Sequence, residues 1–282
     1  MPSSQPGHPN ARTATAALLL LSAVAYTAWV LEVVLSTGLD PVQAYISELA
    51  AEDQPLGGLF RATDLVAGLS VLAAAVTALA GGRARPRAPR PGRRQALVGW
   101  SALALFGAAT AADSRLPLSC APTSDEMCAA RETAGLVPAT HTAHAVTSSL
   151  AMLGALTGMA VLTLAARRYG WWPAVRRAGP WLLGAELLAT GWSLAAIAAF
   201  EAGRGTWALG AGQRLQVLLV ACWLAVLARG LARPDGAAED ARVGATGDVT
   251  VGAAANRAPG VAATPEPGAD RRAGRPGGRG PT

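Results

Sequence analysis

Apolar residues gather along this chain in six long runs that are separated by short polar stretches. The runs cover about residues 14–36, 59–80, 96–112, 141–166, 180–200 and 212–230. A helix needs about 20 predominantly apolar residues to cross the hydrocarbon layer of a bilayer, and each run approaches or exceeds that length. The pattern predicts an all-α, polytopic membrane helix bundle with six transmembrane helices.

Polar residues interrupt some of these runs. The uninterrupted part of the second run extends only from Leu65 to Ala80, so we expect Asp64 at or inside the membrane boundary. Arg214, with a glutamine on either side, shortens the apolar part of the sixth run. The first run is longer than the apolar region of a signal peptide, about 7–15 residues, so we expect it to be retained as a helix.

The two ends of the chain lack the apolar pattern. Residues 1–12 are polar, and residues 231–282 consist largely of Ala, Gly, Pro and Arg with scattered acids. Segments with so few large apolar residues cannot bury a core. The sequence therefore predicts two disordered tails around a transmembrane domain that covers residues 13–230.

Composition supports a membrane protein and argues against a nucleic-acid-binding one. Hydrophobic residues make up 51% of the chain and charged residues only 15%, whereas soluble domains average about 25% charged residues. The net charge of +6 could indicate nucleic-acid binding, but the arginines lie in short loops between apolar runs. All 24 basic residues are Arg. Together with the excess of Ala and Gly, this is typical of a GC-rich bacterial genome, so the lipid bilayer of a bacterial plasma membrane is the expected environment.

Arginine is distributed unevenly between the loops. Loops 81–95 and 167–179 contain six and four arginines, whereas loops 37–58 and 113–138 contain four acids each and only two arginines between them. Cytoplasmic loops carry the excess of Lys and Arg. The chain should therefore have both termini and the arginine-rich loops in the cytoplasm.

Cys120 and Cys128 lie together in loop 113–138, which this orientation places outside the cell. Disulfides form and persist in oxidising compartments, so we expect a Cys120–Cys128 disulfide. Two free thiols are the alternative, and a cysteine metal pair would have an unusual spacing for zinc.

With this orientation, polar residues from several helices and from the first outer loop fall in one layer at the outer membrane face. Ionisable side chains at membrane depth are costly and are therefore candidates for function. The candidate polar cluster consists of Glu48, Asp64, Asp113, His141, His144 and Arg214. A structural interpretation competes, in which the carboxylates simply pair with Arg214 or Arg61.

His141 and His144 are three residues apart, so they share one face of the fourth helix. Together with Asp64 and Asp113 they offer the nitrogen and oxygen ligands that zinc accepts. A zinc ion there could activate water for hydrolysis. Metal-free, hydrogen-bonded side chains are the alternative.

One intramembrane acid lies apart from this layer. Glu186, Thr190 and Ser193 form a polar stripe on the fifth helix, either for hydrogen bonds between helices or for a proton or substrate relay. Several glycines are predicted to be positions of close helix packing: Gly68, Gly107, Gly154, Gly158 and Gly191.

A series of short motifs follows the same order as a known family. The first outer loop reads Y-I-S-E-L-A from Tyr45, the third helix ends in F-G-x(5)-D from Phe106 to Asp113, and a P-x-x-C…C loop and an H-x-x-H pair follow. Over about residues 14–230 the chain resembles the bacterial multi-pass membrane family known as domain of unknown function 998. The resemblance implies a six-helix membrane domain and no established activity or ligand.

Three functional hypotheses follow from these residues. In the first, the outer polar cluster binds a small ligand, a lipid headgroup or an ion. In the second, the protein is a zinc-dependent hydrolase acting at the outer leaflet. In the third, it is a proton-coupled transporter that uses Glu186 and Asp64.

Overall fold

A computed structural model describes residues 9–83 and 92–232 of the chain. Most of each predicted tail lies outside these residues. Within them the α-helices are α1 (Pro9–Tyr26), α2 (Gly57–Arg83), α3 (Arg93–Asp113), α4 (Glu126–Thr133), α5 (Ala139–Tyr169), α6 (Pro173–Glu201) and α7 (Leu209–Ala232). Two 3-10 helices, Ala28–Val33 and Ile46–Ala50, complete the secondary structure. The described residues contain no strand, so the predicted all-α class is confirmed.

Six of these helical segments are long and apolar enough to cross a membrane. They are α1 together with the 3-10 helix that follows it, α2, α3, α5, α6 and α7. Large apolar side chains such as Leu188 and Val76 point outward and are exposed on the bundle, which a bilayer accommodates and water does not. The protein is a multi-pass integral membrane protein.

The spanning helices form a closed ring in the order α1, α2, α3, α5, α6, α7 and back to α1. Its interior is filled by large side chains from several helices, among them Trp223, Phe106, Leu19 and Met159, which are all almost completely buried.

Glycines bring α2, α3 and α5 into close contact. A Cβ atom on Gly107 would lie 2.6 Å from the carbonyl oxygen of Gly68, and one on Gly154 would lie 2.6 Å from the backbone nitrogen of Phe106. Gly158 similarly faces Leu103 at 2.7 Å. These four glycines are close-packing positions as predicted, whereas the prediction for Gly191 is wrong because no atom lies within 4 Å of its added Cβ.

The apolar run over 14–36 suggested one continuous α-helix, but the first span is not continuous. It begins earlier, at Pro9, and its α-helical part ends at Tyr26, followed by the 3-10 helix. The Thr27 hydroxyl donates to the carbonyl oxygens of Ala23 at 3.2 Å and Val24 at 3.0 Å. A side-chain hydroxyl bonded to carbonyl oxygens of the preceding turn competes with the backbone hydrogen bonds of an α-helix. The chain changes from α-helix to the tighter 3-10 helix at this point.

The two shortened runs form full-length helices. α2 begins at Gly57 and α7 at Leu209, well before the clean apolar segments, because their polar side chains point into the bundle rather than toward lipid. Arg214 is 5% exposed and Gln216 is also 5% exposed. Polar side chains that face the bundle interior thus allow a span that hydropathy alone would truncate.

Three loops lie at one end of the bundle: residues 34–56, 114–138 and 202–208. They contact one another, since the Thr206 hydroxyl donates to Gln43 Oε1 and Glu52 donates its backbone N–H to the carbonyl oxygen of Leu118. The second loop contains α4 and the Cys120–Cys128 disulfide, which confirms the predicted pairing. We call this end the disulfide end. The opposite end, where α2 ends at Arg83, α3 begins at Arg93 and the last turn of α5 contains Arg167 and Arg168, is called the arginine end.

Candidate functional site

A cavity of about 170 Å³ lies at the disulfide end, between α1, α2, α3, α5, α7 and the 3-10 helix Ile46–Ala50. An apolar cavity of about 150 Å³ in another protein accepts benzene, so this volume suits a ligand of six to eight heavy atoms, roughly. The polar side chains that line it are Ser47, Arg61, Thr63, Asp64, Thr110, Asp113, Ser114, His144, Ser148, Gln213 and Gln216. Three aromatic residues, Tyr26, Trp29 and Phe60, also line it.

Asp113 is held firmly in this cavity by side chains of α5. It accepts hydrogen bonds from the hydroxyls of Thr147 and Ser148, the latter at 2.9 Å. His144 Nδ1 lies 3.2 Å from Asp113 Oδ1 and 3.0 Å from the carbonyl oxygen of Leu116. Since both neighbours are acceptors, Nδ1 carries a proton. The Asp113 carboxylate is therefore well satisfied by the protein itself.

Asp64 faces the same cavity but, unlike Asp113, is not held by hydrogen bonds from the protein. Within the part of the chain that the structure describes, its carboxylate makes no hydrogen bond and no ion pair. Thr110 Oγ1 and Trp29 Nε1 also lack partners among the described residues, although both atoms are buried. Buried polar groups are normally hydrogen-bonded, so three lining residues offer unused polar atoms.

Arg61 contributes a positive charge to the lining. Its Nη1 donates to the carbonyl oxygens of Ala50 at 2.7 Å and Ala51 at 3.2 Å, which ties α2 to the end of the 3-10 helix. No carboxylate of the described residues lies within ion-pair distance of it. The guanidinium is therefore anchored by backbone and keeps donors to spare.

Three predicted members of the polar cluster do not line the cavity: Glu48, His141 and Arg214. Arg214 instead forms two hydrogen bonds to the carboxylate of Glu32, Nε–Oε1 at 2.6 Å and Nη2–Oε2 at 2.7 Å. His141 Nδ1 lies 3.0 Å from Ser119 Oγ, and its Nε2 lies 3.4 Å from Glu132 Oε1. Each of these side chains connects a loop to the bundle through hydrogen bonds or an ion pair.

Glu48 fastens the disulfide loop. The backbone N–H and the hydroxyl of Thr123 donate to its two carboxylate oxygens at 2.7 Å and 2.5 Å. Burial raises the pKa of Glu48 to about 7, against the opposing effect of these hydrogen bonds. Thr123 lies between the two bridged cysteines, so Glu48 joins the disulfide loop to the 3-10 helix that walls the cavity.

The four residues predicted as zinc ligands do not converge on one point. Among the described residues, no group of three or more His, Cys, Asp and Glu side chains is placed to hold a metal ion. His141 turns toward Glu132, whereas His144 turns toward Asp113. The i, i+3 spacing puts the two rings on one helix face but does not point them at a shared ligand.

Glu186 lies away from the cavity, about midway along α6, and is completely buried. Neither of its carboxyl oxygens has a hydrogen-bond partner among the described residues. Thr190 and Gln216 lie beside it, and Gln216 Nε2 donates to Thr190 Oγ1 at 3.0 Å. Gln216 also lines the cavity, so one side chain contacts both regions.

Sequence reasoning missed the aromatic part of the lining. Tyr26, Trp29 and Phe60 are ordinary residues of apolar or interfacial runs, and no spacing singles them out. In the structure, Tyr26 and Trp29 flank the position where the first α-helix ends. The Tyr26 ring packs against Phe106 of α3 with centroids 5.5 Å apart, and Trp29 packs against the cluster of Leu49, Ala50 and Phe60.

Comparison with known proteins identifies a family and no characterised relative. Residues 16–230 match the family model described as Protein of unknown function (DUF998). No curated protein and no solved structure matches the chain significantly. The match covers more than half of the chain and all six spans, and the chain therefore belongs to the DUF998 family.

Proposed function

We propose that this membrane protein binds a small organic cation of the ammonium class in the cavity at its disulfide end. The observation that carries the proposal is Asp64, a carboxylate that faces the cavity and has no partner among the described residues. An unpaired carboxylate in a low-dielectric site is costly unless it is protonated or a positive charge joins it. The charge that a ligand brings would meet this need.

The aromatic lining favours an ammonium group over a metal ion. Tyr26, Trp29 and Phe60 surround the same space as Asp64. Aromatic faces attract ammonium groups, and quaternary ammonium ligands are characteristically held by such rings. A hard metal ion would instead require several converging oxygen ligands, which the cavity does not assemble.

The remaining polar atoms suit a ligand that carries more than a charge. Trp29 Nε1 is a free donor and Thr110 Oγ1 a free hydroxyl. Arg61 retains guanidinium donors that its two backbone contacts do not use, and these could bind a phosphate. The ammonium group could therefore belong to a free quaternary ammonium compound such as choline or to a zwitterionic lipid headgroup.

Two features support an outward-facing cavity. The disulfide loop at this end contains a bond that persists in oxidising compartments. Arg93, Arg167 and Arg168 lie at the other end, as expected for the cytoplasmic side. A cavity opening outward would take its ligand from the medium or from the outer leaflet.

The proposal is tested with matched ligands and matched variants. Choline should raise the melting temperature of the purified protein in detergent, because a ligand that binds only the folded state stabilises it. Its uncharged isostere 3,3-dimethyl-1-butanol should not. Asp64→Asn should abolish the shift, and Asp53→Asn, which neutralises an exposed acid outside the cavity lining, should preserve it.

The same assay distinguishes the two sources of the ammonium group. Phosphocholine that stabilises the wild type more than choline does, with the excess lost in Arg61→Gln, would indicate a headgroup. Equal stabilisation by choline and phosphocholine would indicate a free quaternary ammonium compound. Equal shifts by choline and its uncharged isostere would contradict the proposal.

A further inference from the structure

Glu186 lies where a carboxylate is hardest to keep charged. It is 0% exposed, and 13 residues separate it from the start of α6, which spans Pro173–Glu201. At 1.5 Å per residue this is about 20 Å from the arginine end of the helix. A charged side chain at that depth costs several kcal/mol unless it is paired.

Within residues 9–83 and 92–232, no cation pairs with it. α6 packs against α5 and α7. α5 has no ionisable residue between His144 and Arg167, and the only cation of α7 near this depth is Arg214, which is bound to Glu32. Tyr26 of α1 lies within electrostatic range of Glu186 and of the two cavity carboxylates Asp64 and Asp113. The titratable groups that face Glu186 are thus neutral, already paired, or negative when ionised.

Two neutral side chains connect Glu186 with the cavity. The Thr190 hydroxyl accepts a hydrogen bond from Gln216 at 3.0 Å, which leaves its own O–H free to reach a carboxyl oxygen of Glu186. Gln216 lines the cavity from α7. The polar face continues to Ser193, which is buried and has no partner among the described residues.

We propose that Glu186 is a proton-binding site in the membrane interior, which holds its proton in this conformation and exchanges it with water in the cavity past Thr190 and Gln216. In each exchange the carboxylic O–H bond breaks, the proton leaves to water, and a new proton from water restores the acid. The proposal does not depend on ammonium binding, since it concerns a different side chain and a different ligand.

Infrared spectroscopy of the protein in lipid vesicles tests for the proton. The wild type should show a carbonyl stretching band of a protonated carboxylic acid. Glu186→Gln should lose this band, whereas Asp64→Asn should retain it. If Glu186→Gln does not fold, Glu186→Asp provides the second test, because it keeps a carboxyl group and should move the band without removing it.

Transfer into D₂O tests the route. The band should shift as deuterium replaces the acid proton, and Thr190→Val should slow the shift. Thr163→Val is the matched control, since it makes the same substitution at a buried threonine that bonds to Trp223 instead. Absence of a band dependent on Glu186, or equal exchange rates in Thr190→Val and the wild type, would overturn the proposal.

Discussion

Arg214 and Glu32 form a buried, bidentate ion pair between α7 and the 3-10 helix at the end of the first span. Their side chains are only 6% and 3% exposed. The third nitrogen of Arg214 donates to the carbonyl oxygen of Ala44 at 2.9 Å. The pair therefore closes the helix ring between its first and last spans and anchors the loop that follows.

Removing either partner should be strongly destabilising. Glu32→Gln or Arg214→Gln leaves one buried charge without compensation, which costs about 3–5 kcal/mol. The double variant Glu32→Leu with Arg214→Met should recover much of this loss, because it removes both charges together. Thermal unfolding in detergent measures the difference. Single variants as stable as the wild type would show that the pair is dispensable.

Glu48 should make stability depend on pH. Its pKa is raised by burial from 4.5 to about 7, so between these values the folded protein binds more protons than the unfolded chain. Stability should then fall as pH rises through this window, by roughly 3 kcal/mol from this group.

Melting curves of the wild type and Glu48→Gln isolate this effect. The variant should lose the Glu48 contribution and so show a flatter pH dependence, while its amide oxygen still accepts from the Thr123 N–H. Glu52→Gln, at an exposed neighbouring acid, is the control and should follow the wild type. Parallel curves for Glu48→Gln and the wild type would refute the assignment.

Alanine substitutions at a packed glycine and at an open glycine test the close contact between α2 and α3. Gly107→Ala places a methyl group 2.6 Å from the Gly68 carbonyl oxygen, and such overpacking costs about 1–3 kcal/mol. Gly191→Ala meets no atom within 4 Å and should be neutral or stabilising, because alanine favours the helix. Thermal unfolding of both variants checks the difference, and the reverse order of stabilities would argue against the packing of α2 on α3.

Orientation can be read from the labelling of single cysteines. In a Cys222→Ser background, Glu52→Cys at the disulfide end should react with a membrane-impermeant maleimide in intact cells. Arg168→Cys at the arginine end should react only after permeabilisation. Both wild-type residues are exposed. The opposite pattern would invert the topology that we propose.

Hydropathy, charge asymmetry and cysteine placement were sufficient to predict six helices and the disulfide. These features depend on long runs and on the side of the membrane, which a single sequence records directly. The same reasoning placed Asp64, Asp113 and His144 in one layer, and all three line one cavity.

Side-chain direction could not be predicted in the same way. Their positions along the chain put Glu48, His141 and Arg214 in that layer too, yet each turns to a loop or a helix end instead. The direction depends on loop geometry, on where α1 stops, and on partners distant in sequence, such as Glu32 for Arg214. The aromatic lining could not be predicted for the same reason, since Tyr26 and Trp29 lie on either side of the point where α1 ends and both line the cavity.

Equilibrium binding of radiolabelled choline to the purified protein tests the central claim most directly. We predict saturable binding of one choline per chain in the wild type and in Asp53→Asn, and none in Asp64→Asn. Excess unlabelled choline should compete for the site, and its uncharged isostere should not. Absence of saturable binding to a folded wild type, or binding that survives in Asp64→Asn, would contradict the account.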